Sequence, residues 1–549
     1  MKSKKFHLDC WKVMAILIML ILAIVLLYPL LMIGVNSFLN EEGRFSLTNY
    51  IDFISLEYYT SALKNSFVVC IAATIIATIV GVPVAYISTR YAIKGKKILD
   101  MIVILSMISP PFIGAYSWIL LFGRNGVITN LLNGIGIHMP SIYGFGGMVL
   151  VFTVKFFPLI YLYVSGALGS IDVSLEEASE NLGMSKIKRI FTVTLPLILP
   201  TITAAMLMVF MAALADFGTP MLIGEGYKVL PVLIYQQYLS ETGGNASMAS
   251  TLSVVIVLCA LVVLIIQKVV INRKNYTMSM LRPPKAEKLT KGKCALATFA
   301  CFLVGFIGIL PQLTVFVTSF LKTSGPMFVK GFTLDSYKQA MEKMGSAIVH
   351  TFAYSTVAIV IMIAAGILIA YLSVRKRSKL NTVLDTLVMF PYVIPGAVLG
   401  IALLLAFGKG PLILTGTPVI LIMAYVIRKL PYTIRSSSAI LYQIDSSIEE
   451  ASINLGVSPI KTFFKTTAIL MIPGVFSGAV MSWINTINEL SSSVMLYTSK
   501  TMTISVAIYT EVLKNNYGTA AALAVILSLA SMITVLLFTK LSGGRSLTL

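Results

Sequence analysis

The chain is short of charge. Of its 549 residues only 12% are Asp, Glu, Lys or Arg, against 57% hydrophobic, and mean hydropathy is +0.90. That composition excludes a soluble globular domain and implies an all-α integral membrane protein. Acidic residues are the scarcer sign, 22 against 42 basic, for a net charge of +20. A soluble protein so basic would suggest nucleic acid. Here the basic residues gather in short loops between apolar runs, where the positive-inside rule accounts for them, and no nucleic-acid partner is expected. The five cysteines (Cys10, Cys70, Cys259, Cys294, Cys301) include no C-x-x-C pair, which argues against a disulfide framework or a thiolate metal site. The three histidines (His7, His138, His350) are scattered, so no metal site, cofactor or catalytic constellation is expected. No G-x-x-x-x-G-K-[ST] loop occurs, so the chain should not hydrolyse ATP itself.

Long apolar runs are plentiful. The basic start is followed by a run over about 13–35, too long for the core of a signal peptide and read as a retained first membrane helix. Further spans are expected at roughly 65–88, 99–122, 146–168, 196–219 and 248–270. The scheme then repeats at 295–320, 346–373, 382–408, 413–434, 469–494 and 519–540, giving about twelve transmembrane helices. Arg90, Lys94, Lys96 and Lys97 follow the second span, and Arg375, Lys376, Arg377 and Lys379 follow its counterpart. Both turns therefore belong inside, and an even span count puts both termini in the cytoplasm. A Pro-bearing basic stretch over 276–293 divides a first repeat, 1–275, from a second, 294–549.

The halves are a parallel internal repeat. Early on the offset is 285 residues: Gly81, Tyr86, Ser88, Arg90 and Asp100 match Gly366, Tyr371, Ser373, Arg375 and Asp385. Later it is 273, and Pro158 matches Pro431. At this second offset each half carries a polar island inside otherwise apolar sequence, at about 172–195 and 445–468. Each contains E-E-A-S-x-N-L-G, from Glu176 and from Glu449. Ser174-x-x-Glu177 and Ser447-x-x-Glu450 read as capping boxes. Gly183 and Gly456 end the short helix, and a second helical piece with Lys186, Lys188 and Arg189, or Lys461 and Lys465, follows. One such island could be an ordinary capped loop. Two copies sharing this detail point to a pair of docking helices for an aqueous partner.

The islands resemble the E-A-A-x3-G-x9-I-x-L-P motif in the permease subunits of binding-protein-dependent ABC importers. The pattern falls on Glu177, Ala178, Ser179, Gly183, Val193, Leu195 and Pro196, and again on Glu450, Ala451, Ser452 and Gly456. The second copy departs at Ala468 and Ile469, with its proline later at Pro473. The resemblance implies the type I importer transmembrane fold, with coupling helices seated on two copies of a separate ABC ATPase that uses ATP and Mg. It also implies an extracytoplasmic substrate-binding protein and a bacterial plasma-membrane location. Ala213–Gly224, Val229–Tyr235, Asn488–Tyr497 and Ser505–Tyr509 are most similar to the fused permeases of the ferric-iron group. Related fused permeases carry 2-aminoethylphosphonate, thiamine or polyamines.

Asp216 and Glu489 are also related by the 273 offset, each late in the fifth span of its half. A carboxylate in the bilayer costs several kcal/mol and normally faces a cavity or a partner. One reading puts both at the outer part of a central path, shaping its field for a cationic substrate. The other ends the spans early and leaves both at the interface. A twelve-span secondary transporter driven by an ion gradient would share the span count, but would leave the paired islands unexplained, as would a non-transporting scaffold.

Overall fold

The computed structural model describes residues 10–40, 42–107, 110, 113–239, 244–272, 286–324, 327–392 and 394–541. The basic start and most of the Pro-bearing linker lie outside them. Among the described residues, nine helices are long and apolar enough to cross a membrane, or ten if one bent pair counts as a single span. Three expected spans account for the difference. The third is two short helices, Lys96–Met107 and Ile113–Phe122, on either side of Pro110-Pro111. Its counterpart is the bent pair, Lys379–Tyr392 and Gly396–Phe407, turned by 110°. Proline supplies no N–H and clashes with the preceding turn, so each pair breaks where proline falls. The tenth, Pro418–Gln443, forms a full helix whose Arg428, Lys429 and Arg435 make it too polar to pass as an apolar span. Among the described residues the all-helical expectation holds but for one antiparallel hairpin, Leu321–Ser324 with Met327–Phe332.

The repeat is visible element by element. Glu57–Arg90 answers Asp335–Arg375, and Phe145–Gly169 answers Pro418–Gln443. Likewise Lys186–Leu214 answers Pro459–Ile487, and Ala246–Asn272 answers Tyr517–Leu541. In each half the second and fourth spans make the most intimate contact. Water does not drive helices together inside lipid, so close approach depends on small residues. Ala73, Ala77 and Ala85 are fully buried on the first-half face, Ala358 and Ala370 on the second. Gly81 and Gly366 occupy equivalent places at the crossings. A Cβ on Gly81 would stand 2.9 Å from Ile160 Cβ, and one on Gly366 2.7 Å from Thr433 Cγ2.

The two leading spans are exchanged. Cys10–Ser37 packs against the Lys379–Met389 and Gly396–Phe407 helices of the second half. Its Trp11 ring lies 4.8 Å from that of Tyr371 and 5.4 Å from that of Phe463. Lys291–Ser319 in turn packs on the first half, where Ser117 Oγ donates to the Pro311 carbonyl at 2.7 Å.

Replacing Gly81 or Gly366 by Leu should lower stability by about 1–3 kcal/mol, the usual cost of overpacking a tight contact. Thermal unfolding of the detergent-solubilised chain measures this. An unchanged Tm for both would mean that the second and fourth spans are not packed this closely.

Candidate functional site

The two islands lie at the same end of the helices and share one local design. The first comprises Val173–Asn181, a turn, and Lys186 onward; the second comprises Ser447–Asn454, a turn, and Pro459 onward. The expected capping boxes are not what start them. Asp172 Oδ1 accepts from the Ser174 amide, and Asp445 Oδ1 from the Ser447 amide, each at 2.9 Å. Asp lies two residues ahead of the Ser and reaches the free amides first, satisfying donors that no helical carbonyl can. The Ser447 amide and side chain hold the Asp445 carboxyl below the usual carboxylate range. The glycines do what their position predicts. Gly183 and Gly456 have φ of +76° and +86°. Gly183 N donates to the Glu180 carbonyl at 2.8 Å and Met184 N to that of Ser179 at 3.1 Å. Gly456 and Val457 repeat this with Ile453 and Ser452 at 2.9 and 3.2 Å. This double bond pattern requires a left-handed residue, so glycine closes both helices.

The second helical pieces re-enter the long spans through a π turn, Ile190–Thr194 in one copy and Phe463–Thr467 in the other. The turn forms in the second copy although Ile469 stands where Pro196 stands in the first. The missing Leu-Pro therefore leaves the exit unchanged, and proline is not the cause of the turn.

The shared frame divides by direction. Glu177 and Ala178, with Glu450 and Ala451, are exposed. Matched apolar side chains stand out beside them: Leu175 with Ile448, Ile187 with Ile460, and Leu182 with Leu455, the last two 78% and 85% exposed. Ser179 faces inward, its hydroxyl donating to the Glu176 carbonyl at 2.7 Å. Ser452 bonds Thr462 at 3.0 Å.

Glu176 and Glu449, not singled out by the motif, anchor the islands. Arg90, at the end of the second span, donates to Glu176 at 2.7 Å, and Arg375 to Glu449 at 3.1 Å. All four side chains are at most 20% exposed. The repeated basic residue after each second span was the available signal, obscured because it also serves the positive-inside pattern. A third tie holds the first island alone. Glu287 exchanges backbone bonds with Arg90 and Ala92, and its side chain meets Lys186 at 2.5 Å.

Asp216 and Glu489 are not free charges. The fifth-span helices end at Leu214 and Ile487, so both carboxylates stand just past them rather than within them. Each meets the middle of the fourth span of its own half: Asp216 pairs with Lys155, and Glu489 with Arg428 and, at 2.7 Å, Lys429. Lys155 and Arg428 are themselves related by the 273 offset. Each carboxylate also caps the short helix that follows, Asp216 through the Thr219 amide at 2.9 Å and Glu489 through the Ser492 amide at 3.1 Å. Three cations thus face two carboxylates, and neither acid contributes a net negative field. Among the described residues no group of three His, Cys, Asp or Glu could hold a metal ion.

Comparison with known proteins matches residues 77–276 and 362–544 to the family described as the inner membrane component of binding-protein-dependent transport systems. The chain is 29% identical over 537 residues to the ferric transport system permease protein of Actinobacillus pleuropneumoniae, covering 96% of this chain and 77% of that one. It is 27% identical over 499 residues to an Fe(3+)-transport system permease protein of Haemophilus influenzae, covering 90% and 92%. The molybdenum transport system permease protein of Escherichia coli is 31% identical over 194 residues, 34% of this chain and 82% of that one.

Breaking a buried ion pair from one side leaves a charge uncompensated, at about 3–5 kcal/mol. Glu489, 4% exposed, faces two cations, whereas Lys155 beside Asp216 is 34% exposed and keeps some solvent. Glu489→Gln should therefore lower the Tm of the purified chain more than Asp216→Asn. Equal or reversed losses would show that the Arg428 and Lys429 cluster does not need its carboxylate.

Proposed function

Because the chain belongs to the family of binding-protein-dependent transport system inner membrane components, carrying its domain twice, we propose that it is the complete translocation path of an ATP-driven ferric-iron importer. The observation that carries the motor coupling is the pair of islands. Both present an exposed glutamate, Glu177 or Glu450, beside matched apolar side chains at the same end of the bundle. An exposed apolar patch rimmed by charge marks a protein interface. Two such patches related by the repeat fit two copies of one ATPase. The ATPase is a separate chain, since this one has no phosphate-binding loop. Its closure would draw the islands together and open the path toward a docked extracytoplasmic binding protein; reopening would return the path inward.

In this reading the islands lie in the cytoplasm of a bacterial cell, and two six-span repeats would leave both termini on that side. The two repeats face each other across an axis along the membrane normal, and Asp216 and Glu489 border the path with their basic partners. Iron as cargo is supported by similarity to ferric permeases over nearly the whole chain, while the molybdenum permease relative covers only 34% of it. The intramembrane charges do not select a cation by themselves. In this reading choice of cargo rests with the binding protein.

Two measurements test the reading. Glu177→Lys together with Glu450→Lys should abolish copurification of the ATPase; a normal yield of the complex would sink the docking assignment. Iron-starved cells should lose radiolabelled ferric uptake both without the gene and with the double substitution. Uptake that persists once redundant importers are removed would leave an importer of another solute.

A further inference from the structure

The two islands are held by the same residues in two different hydrogen-bonding patterns. In the first half Glu176 Oε1 accepts from Arg90 Nη2 at 2.7 Å and from Thr194 Oγ1, at the start of the fifth span, at 3.0 Å. Among the described residues no hydrogen bond joins Tyr86 to Glu176, and Arg90 Nε is buried without a partner. In the second half Glu449 accepts from Arg375 Nε on Oε1 at 3.1 Å and from the Tyr371 hydroxyl on Oε2 at 3.2 Å. Here the threonine is idle. Thr467, the counterpart of Thr194, is fully buried and its hydroxyl has no partner among the described residues. A buried hydroxyl left unpaired costs about 1–3 kcal/mol, so it is an anomaly that asks for an explanation. Its explanation stands in the other half, where the same hydroxyl has a bond to make.

We propose that each island carries a two-position clamp. Resting on the docking assignment above, its glutamate stays on the second-span arginine and exchanges its other partner as the ATPase moves the island. With the threonine engaged, the island is tied to both the second and the fifth span. With the tyrosine engaged, the glutamate bonds the second span alone and its hydrogen bond to the fifth is given up. The fifth span ends just before Asp216 or Glu489, so the exchange connects the island to their ion pairs. Bistable packing of this kind converts a small shift at one site into a discrete change at another. Thr467 and Tyr86 are thus positioning residues whose bonds belong to the other position of their clamps.

The test uses the chain with its ATPase in proteoliposomes, with binding protein and ferric iron supplied. Thr467→Val and Tyr86→Phe each remove only a hydroxyl that makes no bond to the glutamate in its present pattern. Each should lower iron transported per ATP hydrolysed by roughly tenfold, the scale of one hydrogen bond to a charged group, with ATPase copurification and Tm unchanged. Thr467→Ser, which keeps the hydroxyl, should restore the ratio. A wild-type ratio in Thr467→Val and Tyr86→Phe, with Thr194→Val and Tyr371→Phe impaired, would mean that the patterns are fixed and would overturn the clamp. So would a parallel loss of Tm or of ATPase, which would make the hydroxyls structural. A wild-type chain that binds no ATPase would sink the docking assignment instead.

Discussion

Charge cannot be left alone in hydrocarbon, and this chain is arranged around that constraint. Asp216 with Lys155, Glu489 with Arg428 and Lys429, Glu176 with Arg90 and Glu449 with Arg375 each join segments far apart in sequence. Each pair fixes one span against another or an island against a span. Isolated apolar helices have little to choose between neighbours in lipid. Buried pairs supply that choice, because a wrong neighbour leaves a charge unmet. The same pairs stand at the base of the islands and where the fifth span of each half ends against the fourth.

Much of this was legible in the sequence. The repeat offsets, the two islands and the helix-ending glycines follow from residue identity and spacing, and the structure keeps all three. The span count was less legible. An apolar run reads as continuous across Pro110-Pro111 and between Tyr392 and Gly396, where the helices break, and the span expected at 413–434 forms a helix carrying three basic residues. Asp216 and Glu489 were visible as a related pair, but their partners were not. Lys155 lies 61 residues from Asp216, and only the fold brings the fourth span to the end of the fifth. Glu176 was hidden for another reason: it stands beside the exposed Glu177 in one short motif, and only the helix's turn of about 100° per residue carries it round to Arg90.

The asymmetry between halves is as informative as the likeness. The first island leans on the linker through Glu287, while the second is backed by Trp11 of an exchanged leading span, whose ring meets those of Tyr371 and Phe463. Glu180 pairs with Arg189 in the first copy, where the second uses Ser452 and Thr462. Equivalent positions are thus supported by unlike chemistry, which two halves in one chain are free to acquire because neither must pair with a copy of itself.

The exchanged leading spans bear on how the protein is made. The Cys10–Ser37 helix leaves the ribosome ahead of the other helices described, yet part of what it packs against lies beyond residue 370. During synthesis it waits in lipid until Ala246–Asn272 of its own half reaches it, and longer for its second-half neighbours. Its composition suits that wait: it has the highest hydropathy of the nine spans, 3.1, and its most apolar stretch remains only 17% buried in the finished fold. A helix that stays largely lipid-facing even at the end risks little by standing alone at the beginning.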